Sequence, residues 1–245
     1  MTNDDGIDSD GIRTLAAAAL EAGLDVVVAA PSVEHSGSSA ALTSRQVDGG
    51  LVLERRPLDG TGVTAYAVHA APAYIAFVGA RGAFGAKPDI VLSGINHGPN
   101  TGYAILHSGT VGAALTAATQ GLPAVAFSMA SAHPRQWDTA ADVVKHVLRT
   151  RPDHDGPTVL NVNIPDVPAA ELRGVRSARL AARGAVQARV VQAEGDLVRL
   201  SFDETVAESG PESDASLLRQ SWATVTALQA PCENAAVDVS DVLTG

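Results

Sequence analysis

Two adjacent carboxylates near the start of the chain are the residues best suited to chemistry. Asp4 and Asp5 stand between Asn3 and Gly6. Like charges this close repel each other unless a positive group lies between or beside them. Hard divalent cations prefer carboxylate oxygens as ligands. Because consecutive side chains diverge in a strand, both carboxylates can face one site only where the backbone turns, and Gly6 permits such a turn.

A purely structural interpretation of the acidic pair is that it caps the next helix. Apolar residues recur at helical spacing between Ile12 and Leu20, and Gly23 is a typical helix stop. Aspartate is a favoured residue at the start of a helix, where its oxygens accept free N–H groups. Taken alone, the pair therefore leaves both a cation site and a helix cap open.

Further polar residues follow apolar runs that are typical of buried strands. A serine-rich loop with Ser36 follows residues 24–31, and Asn96 and Asn100 come at and after the end of residues 88–96. In open α/β sheets, ligands bind outside the carboxyl ends of the strands. We therefore expect these side chains near the acidic pair. Turn formation is the simpler explanation of the asparagine segment on its own, because Asn and Gly are common turn residues.

A short polar segment opens a helix of small residues. Ser108, Gly109 and Thr110 precede Val111 and a run rich in alanine. Free N–H groups at a helix start, together with the two hydroxyls, make an anion site. An ordinary Ser or Thr cap is the alternative.

The elements that would position these residues alternate as in an α/β protein. Strand patterns cover residues 24–31, 88–96, 124–128 and 158–165, and helix patterns cover residues 12–20, 72–80 and 136–149. Short β patterns at residues 51–55 and 62–68 predict a hairpin flap. From Val175 onward the alternation stops, and residues 189–192, 197–202 and 222–228 read as antiparallel strands. We predict an arm that reaches out of the domain.

Composition narrows the class of protein. The 245 residues are 46% hydrophobic and carry a net charge of −10, which argues against binding to nucleic acid polymers or anionic membranes. Cys232 is the single cysteine, so an intramolecular disulfide framework is excluded. No apolar run reaches the roughly 20 residues of a membrane span, and residues 1–20 do not show the basic-then-apolar pattern that is expected of a secretory signal. A cytoplasmic location is the expectation.

Four motifs in this order resemble the SurE (survival protein E) nucleotidase family. They are Asn3-Asp4-Asp5-Gly6, Ser36-Gly37-Ser38-Ser39, Ser93-Gly94-Ile95-Asn96-His97-Gly98-Pro99-Asn100 and Ser108-Gly109-Thr110-Val111. The similarity also extends to Leu160-Asn161-Val162-Asn163-Ile164-Pro165. It covers nearly the whole chain.

The resemblance implies a divalent-metal-dependent phosphatase that hydrolyses nucleoside monophosphates, a 5'/3'-nucleotidase. It implies one Mg²⁺ or Mn²⁺ ion per subunit, and the metal ligands would be Asp4, Asp5, Ser36 and Asn96. Asp4 and Asp5 would also be the catalytic residues. The substrate and its phosphate would be held by Asn3, Asn100, Ser108, Gly109 and Thr110.

The implied fold is α/β, with a Rossmann-like three-layer core, a mostly parallel sheet and arms that exchange between subunits. We expect a metal-phosphatase core at residues 1–175, an antiparallel arm for oligomerisation at 176–230, and a C-terminal segment returning to the core at 231–245. A homodimer or tetramer is the expected assembly.

The first core strand of such a fold is expected to be truncated, because only Met1 and Thr2 precede Asn3. A nucleotide-binding or oligomerising module with impaired turnover is therefore an alternative function. A serine hydrolase built on Ser36 or Ser108 is a third, although the chain has no Gly-x-Ser-x-Gly elbow.

Overall fold

Helices and strands alternate through most of the chain. The computed structural model describes residues 1–151, 158–182, 186–194, 197–204, 210–231 and 233. The helices are α1 (Asp10–Glu21), α2 (Pro72–Gly79), α3 (Gly109–Thr119), α4 (Trp137–Thr150) and α5 (Asp214–Leu218), and a 3-10 helix spans Gly102–His107. The strands are β1 (Val28–Pro31), β2 (Gln46–Val47), β3 (Gly50–Leu51), β4 (Leu53–Pro57), β5 (Thr64–Val68), β6 (Val91–His97), β7 (Ala124–Met129), β8 (Val159–Ile164), β9 (Val175–Ser177), β10 (Val186–Glu194), β11 (Leu197–Glu204) and β12 (Ala223–Leu228).

Two sheets of mostly parallel strands form the core. One has the order β4-β5-β1, and the other has the order β6-β7-β8-β12-β9. The pairs β1–β5, β6–β7 and β7–β8 are parallel, whereas β4 and β12 each pair antiparallel with a neighbour. The predicted α/β class with a mostly parallel sheet is confirmed.

Met1 and Thr2 lie between the two sheets and join them. The N–H of Ala29 on β1 donates to the Met1 carbonyl at 2.9 Å, and the Thr2 N–H donates to Leu92 on β6 at 3.0 Å. The Gly94 N–H completes a parallel bridge by donating to the Thr2 carbonyl at 2.9 Å. These two residues thus stand where the expected first strand belongs, and they carry the chain directly to Asn3.

Helices cover both faces of the sheets. The buried side chains of α4, Val143, Val144, Val147 and Leu148, pack with Leu15 of α1 on one face. On the other face α3 packs closely, because its buried positions are small: a side-chain carbon on Gly112 would lie only 2.3 Å from the Ser39 carbonyl. Small residues therefore bring the start of α3 close to the loop after β1.

Three segments differ from the sequence-based predictions. The strand predicted at residues 24–31 is regular only from Val28. The predicted flap is a hairpin of β4 and β5, but β5 also pairs with β1 and so belongs to the sheet. The apolar pattern at residues 222–228, assigned to the arm, forms β12 beside β8. Such a pattern indicates a half-buried strand without indicating which neighbour it pairs with.

The antiparallel hairpin of the predicted arm is formed by β10 and β11, which pair from Val186 and Glu204 inward. The expected C-terminal segment 231–245 lies outside the described residues except for residues 231 and 233. In the described part of the chain, every helix is too short or too polar to cross a membrane.

Candidate active site

The acidic pair lies on a turn between Thr2 and α1. Asn3 is fully buried, and its Nδ2 donates to the Gly6 carbonyl at 2.9 Å and to Ser9 Oγ at 2.8 Å. Gly6 has a φ of 95°, a left-handed conformation that favours glycine. Ser9 in turn caps α1 by accepting the Ile12 N–H. The cap of the first helix is therefore Ser9, which leaves the two aspartates for another role.

Asp4 is buried against the first turn of α3. Its carboxylate accepts the Thr110 N–H at 3.1 Å and a short hydrogen bond from the Thr110 hydroxyl. Burial raises the pKa of Asp4, and the hydrogen bonds from Thr110 oppose that rise. The Thr110 hydroxyl also lies 3.5 Å from Asn96 Oδ1. Two residues predicted as metal ligands, Asp4 and Asn96, thus meet at one threonine.

Asp5 faces the end of β6. Its side chain is 12% exposed, and its Oδ2 accepts the His97 N–H at 3.4 Å. Burial and then the charge of Asp4 raise the pKa of Asp5 to about 6, while His97, with Nδ1 3.8 Å from Asp5 Oδ1, acts in the opposite direction. Two mostly buried carboxylates, one of which raises the pKa of the other, favour a cation beside them.

The serine loop after β1 reaches the same place through Ser38, for which the sequence predicts no role. Ser36 lies on an exposed part of the loop, and its hydroxyl donates to Glu34 at 2.6 Å. The Ser38 hydroxyl is buried and has no hydrogen-bond partner among the described residues. A side-chain carbon on Gly109 would lie 2.7 Å from Ser38 Oγ and 2.8 Å from Asp4 Oδ2. Ser38 thus faces the Asp4 carboxylate across Gly109.

The start of α3 is already hydrogen-bonded. Ser108 is the N-cap, and its Oγ accepts the Val111 N–H at 3.1 Å. The Thr110 N–H is directed at Asp4. The capping interpretation of Ser108 is therefore correct for this structure. The positive end of the helix is directed at the Asp4 carboxylate, where an added anion would compete with it.

Asn100 is held by polar side chains that rise from two neighbouring strands. Its N–H donates to Asn163 Oδ1 at 2.7 Å, and its carbonyl accepts from Asn163 Nδ2 and Asn161 Nδ2, both at 2.8 Å. Its Nδ2 lies 2.8 Å from Ser128 Oγ. Asn161, Asn163 and Ser128 are all fully buried. The segment after β6 is therefore fixed at Asn100.

A second buried carboxylate anchors the next part of this loop. Asp214 at the start of α5 accepts N–H groups from Gly102 at 2.8 Å, Ala181 at 2.9 Å and Ala215 at 2.7 Å. Burial raises the pKa of Asp214, and these hydrogen bonds act against that rise. Asp214 therefore ties the loop after β6 to the residues that lead into β10.

The donor set suits a hard cation. Asp4, Asp5, Asn96 and Ser38 all supply oxygen atoms. In the described ranges no group of three His, Cys, Asp or Glu side chains converges as a metal cluster. The site therefore fits an ion bound by two carboxylates with amide and hydroxyl oxygens, such as Mg²⁺ or Mn²⁺, better than one that selects imidazole or thiolate.

The predicted residues largely come together. Asp4, Asn96, Gly109 and Thr110 meet directly, and Asp5 joins them through the end of β6. Asn3 shapes the turn, and Ser36 points to Glu34. The sequence predicts no functional role for Ser38, Asn161, Asn163 or Asp214. The sequence does carry a signal for the two asparagines. They lie on one face of a strand that is otherwise apolar, and a buried polar residue is unusual.

Comparisons with known proteins identify related chains. A family model described as survival protein SurE matches residues 1–187. The 5'-nucleotidase SurE of Methylococcus capsulatus is 38% identical over 94% of this chain and 90% of its own. The 5'/3'-nucleotidase SurE of Yersinia pestis is 34% identical over 94% of this chain and 88% of its own.

A solved structure shows the same fold. The crystal structure of the SurE protein from Aquifex aeolicus superposes with a TM-score of 0.79 at 31% identity, covering 99% of this chain and 96% of that one. Nucleotidases of this family depend in general on a metal ion. By family model, related sequences and superposed fold alike, the chain belongs to the survival protein SurE family.

Proposed function

We propose that the chain is a 5'/3'-nucleotidase that hydrolyses nucleoside monophosphates with one divalent metal ion, Mg²⁺ or Mn²⁺, per subunit. Curated relatives named 5'-nucleotidase and 5'/3'-nucleotidase support the activity. The observation that carries the proposal is the meeting of Asp4 and Asn96 at Thr110, with Asp5 beside them. A module without turnover is not favoured, because the acidic turn is buried and hydrogen-bonded.

The ion would be held by Asp4, Asp5, Asn96 and a serine of the loop after β1. The family resemblance assigns Ser36 to this role, and the buried, unpaired hydroxyl of Ser38 is a second candidate in the same loop. When bound, such an ion supplies a Lewis acid for a phosphoryl oxygen and makes nearby water more acidic.

The chain's own residues orient and stabilise the reacting groups. Asp5, at the mouth of the site, orients the attacking water and accepts its proton. Asn100, Ser108 and Gly109 bind the phosphoryl oxygens, and Thr110 completes this segment while directing its own two donors at Asp4; the positive end of α3 stabilises the charge that develops there. Asn3 holds the turn on which both carboxylates stand. Thr110 keeps Asp4 in one orientation through two hydrogen bonds.

The assembly we propose is a homodimer, which can associate further to a tetramer. A two-stranded hairpin such as β10–β11 is marginally stable by itself in water. Pairing with the hairpin of a second copy gives it a surface to bury.

A substrate assay tests the activity. Purified protein is treated with EDTA and assayed with 5'-AMP, 3'-AMP and p-nitrophenyl phosphate, with and without added Mn²⁺. We expect phosphate release from the nucleotides only with the metal. Metal-independent cleavage of carboxylic esters would favour a serine hydrolase, and nucleotide binding without phosphate release would favour a module that lacks turnover.

A further inference from the structure

The peptide groups of Asn100 are bound by side chains instead of by regular secondary structure. Asn100 follows the end of β6 and precedes the 3-10 helix, so no ladder fixes its backbone. Its N–H and its carbonyl are both paired with the same side-chain amide, that of Asn163. The amide of Asn163 thus substitutes for the backbone of a neighbouring strand.

This arrangement is costly, because it places polar groups in the protein core. Asn161 and Asn163 are fully buried on β8, and Asn161 Oδ1 has no hydrogen-bond partner in the part of the chain that the structure describes. A buried polar group without a partner destabilises the fold, because it loses its hydrogen bonds to water. Their neighbours Leu160, Val162 and Ile164 pack in an apolar cluster on the other face. An apolar side chain at position 161 would avoid that cost but would remove one of the two donors to the Asn100 carbonyl. An apolar side chain at position 163 would remove the acceptor of the Asn100 N–H as well as the other donor.

The geometry of the two strands explains how the side chains converge. Ser128 on β7 and Asn163 on β8 are register partners, and Asn161 lies two residues before Asn163 on the same face. All three therefore point to the same side of the sheet. Ser128 holds the side chain of Asn100, while Asn161 and Asn163 hold its backbone. Together they fix both the position and the direction of the Asn100 amide.

We infer that Asn163 is a positioning residue for the nucleotidase reaction: it fixes the backbone of Asn100 so that the Asn100 amide meets the substrate phosphoryl group. Asn161 supports the same carbonyl, and Ser128 sets the rotation of the amide. The inference rests on the proposed function in one respect, the contact between Asn100 and the phosphoryl group. Asn163 itself acts only through Asn100.

The test compares Asn163→Asp with Asn100→Ala. The aspartate keeps an acceptor for the Asn100 N–H but replaces the donor to the Asn100 carbonyl with a second acceptor. Displacement of a contacting group by about 1 Å can cost about a hundredfold in rate. We expect Asn163→Asp to raise the KM for 5'-AMP and the inhibition constant of inorganic phosphate about tenfold or more. The affinity for Mn²⁺, measured without substrate, is expected to stay unchanged.

Two further variants separate positioning from general stability. Val143→Ala opens a cavity under α4, on the opposite face, and should lower the melting temperature without changing KM or phosphate inhibition. Asn163→Ser removes both amide contacts without burying a charge. It replaces the aspartate variant in the test if that variant does not fold. We expect Asn163→Ser to show the same rise in KM and in the phosphate inhibition constant.

A double variant identifies the residue through which Asn163 acts. If Asn163 works through Asn100, the variant with both Asn100→Ala and Asn163→Ser should bind phosphate no more weakly than Asn100→Ala alone. Additive losses would overturn the inference, as would Asn163 variants that behave like Val143→Ala while Asn100→Ala is impaired. Unchanged phosphate inhibition in Asn100→Ala would instead refute the proposed role of Asn100, and the positioning role with it, while leaving metal-dependent hydrolysis in place.

Discussion

The ionised form of Asp5 is disfavoured both by burial and by the charge of the neighbouring Asp4 carboxylate. Burial and the Asp4 carboxylate raise its pKa from 3.8 to about 6 in the folded chain. A carboxyl group with a higher pKa in the folded state binds its proton more tightly there than in the unfolded state. Its contribution to stability is therefore complete below about pH 4 and is lost as the pH rises through 6.

Asp5→Asn should separate stability from activity. In EDTA at pH 7 we expect the variant to be as stable as the wild type or more stable, because the repulsion from Asp4 is gone. Its unfolding free energy in urea should fall less than that of the wild type between pH 4 and pH 7. Turnover with Mn²⁺ should drop by more than about a hundredfold, the upper range for residues that only support a metal ligand.

The control for this variant is the EDTA-treated wild type. If Asp5→Asn unfolds under conditions in which that protein stays folded, Asp5 has a structural role and the metal interpretation of the pair is wrong.

Gly109→Ala tests the close approach of α3 to the acidic pair. The added carbon would lie 2.8 Å from Asp4 Oδ2 and 2.7 Å from Ser38 Oγ, closer than real side chains approach. We expect Mn²⁺ affinity and turnover to fall about tenfold or more, since Asp4 must shift. Titration of Mn²⁺ by electron paramagnetic resonance measures the first effect.

The matched control is Gly79→Ala at the end of α2. Its added carbon would meet Phe84 at an ordinary 3.5 Å, so affinity and turnover should be unchanged. Equal metal affinity in the two variants would show that Asp4 does not bind the ion.

Residue types near the site were predictable from the sequence when a local pattern carried them. Asp4 and Asp5 stand out because like charges are adjacent beside a glycine, and Gly6 does adopt the left-handed turn. The contact between Asp4 and Thr110 joins residues far apart in the chain and depends on how α3 docks against the turn. No local pattern reports such a distance, which is why Ser38 was not singled out.

Helix α3 has two proposed roles, and Ser108 takes part in both. Ser108 caps the helix, and the family resemblance also places it at the substrate phosphate. Ser108→Ala should lower stability by about 1 kcal/mol, as loss of an N-cap does. If Ser108 also contacts the phosphate, the KM for 5'-AMP rises several-fold as well. Urea unfolding and steady-state kinetics on one preparation measure both effects.

Ser213→Ala is the comparison for this prediction. Ser213 caps α5 by accepting the Ser216 N–H, so its loss should cost similar stability. Its KM should stay at the wild-type value. A Ser108→Ala variant that matches Ser213→Ala in both measurements would restrict Ser108 to capping.

Element types were easier to predict from the sequence than element partners. The apolar, β-branched runs of β6, β7 and β8 predicted buried parallel strands. In the structure β6 pairs with β7 and β7 pairs with β8, both in parallel. The run at residues 222–228 was predicted as a strand of the arm, yet β12 pairs with β8 in the main sheet. The antiparallel pairing of β12 with β8 depends on how α5 brings the chain back to the sheet. The spacing of apolar residues predicts a strand but does not predict its neighbour.

At the scale of the whole molecule, the hairpin β10–β11 is the element whose stability most needs a partner. Replacing residues 184–208 with a short Gly-Ser linker should convert the proposed dimer into a monomer. Because the proposed site residues lie outside this segment, Mn²⁺-dependent turnover should stay within a few-fold of the wild type. Sedimentation velocity and a phosphate-release assay measure the two outcomes. A monomeric wild-type chain at micromolar concentration would contradict the proposed dimer.

In the proposed mechanism, Asp4, Asp5 and Asn96 hold a divalent ion on which hydrolysis depends. Its most direct test is a titration of Mn²⁺ into EDTA-treated protein, with bound metal and release of phosphate from 5'-AMP measured in the same samples. We predict that both rise together and saturate at one ion per chain. Turnover that is unaffected by EDTA, or that reaches its maximum before metal binds, would contradict the claim.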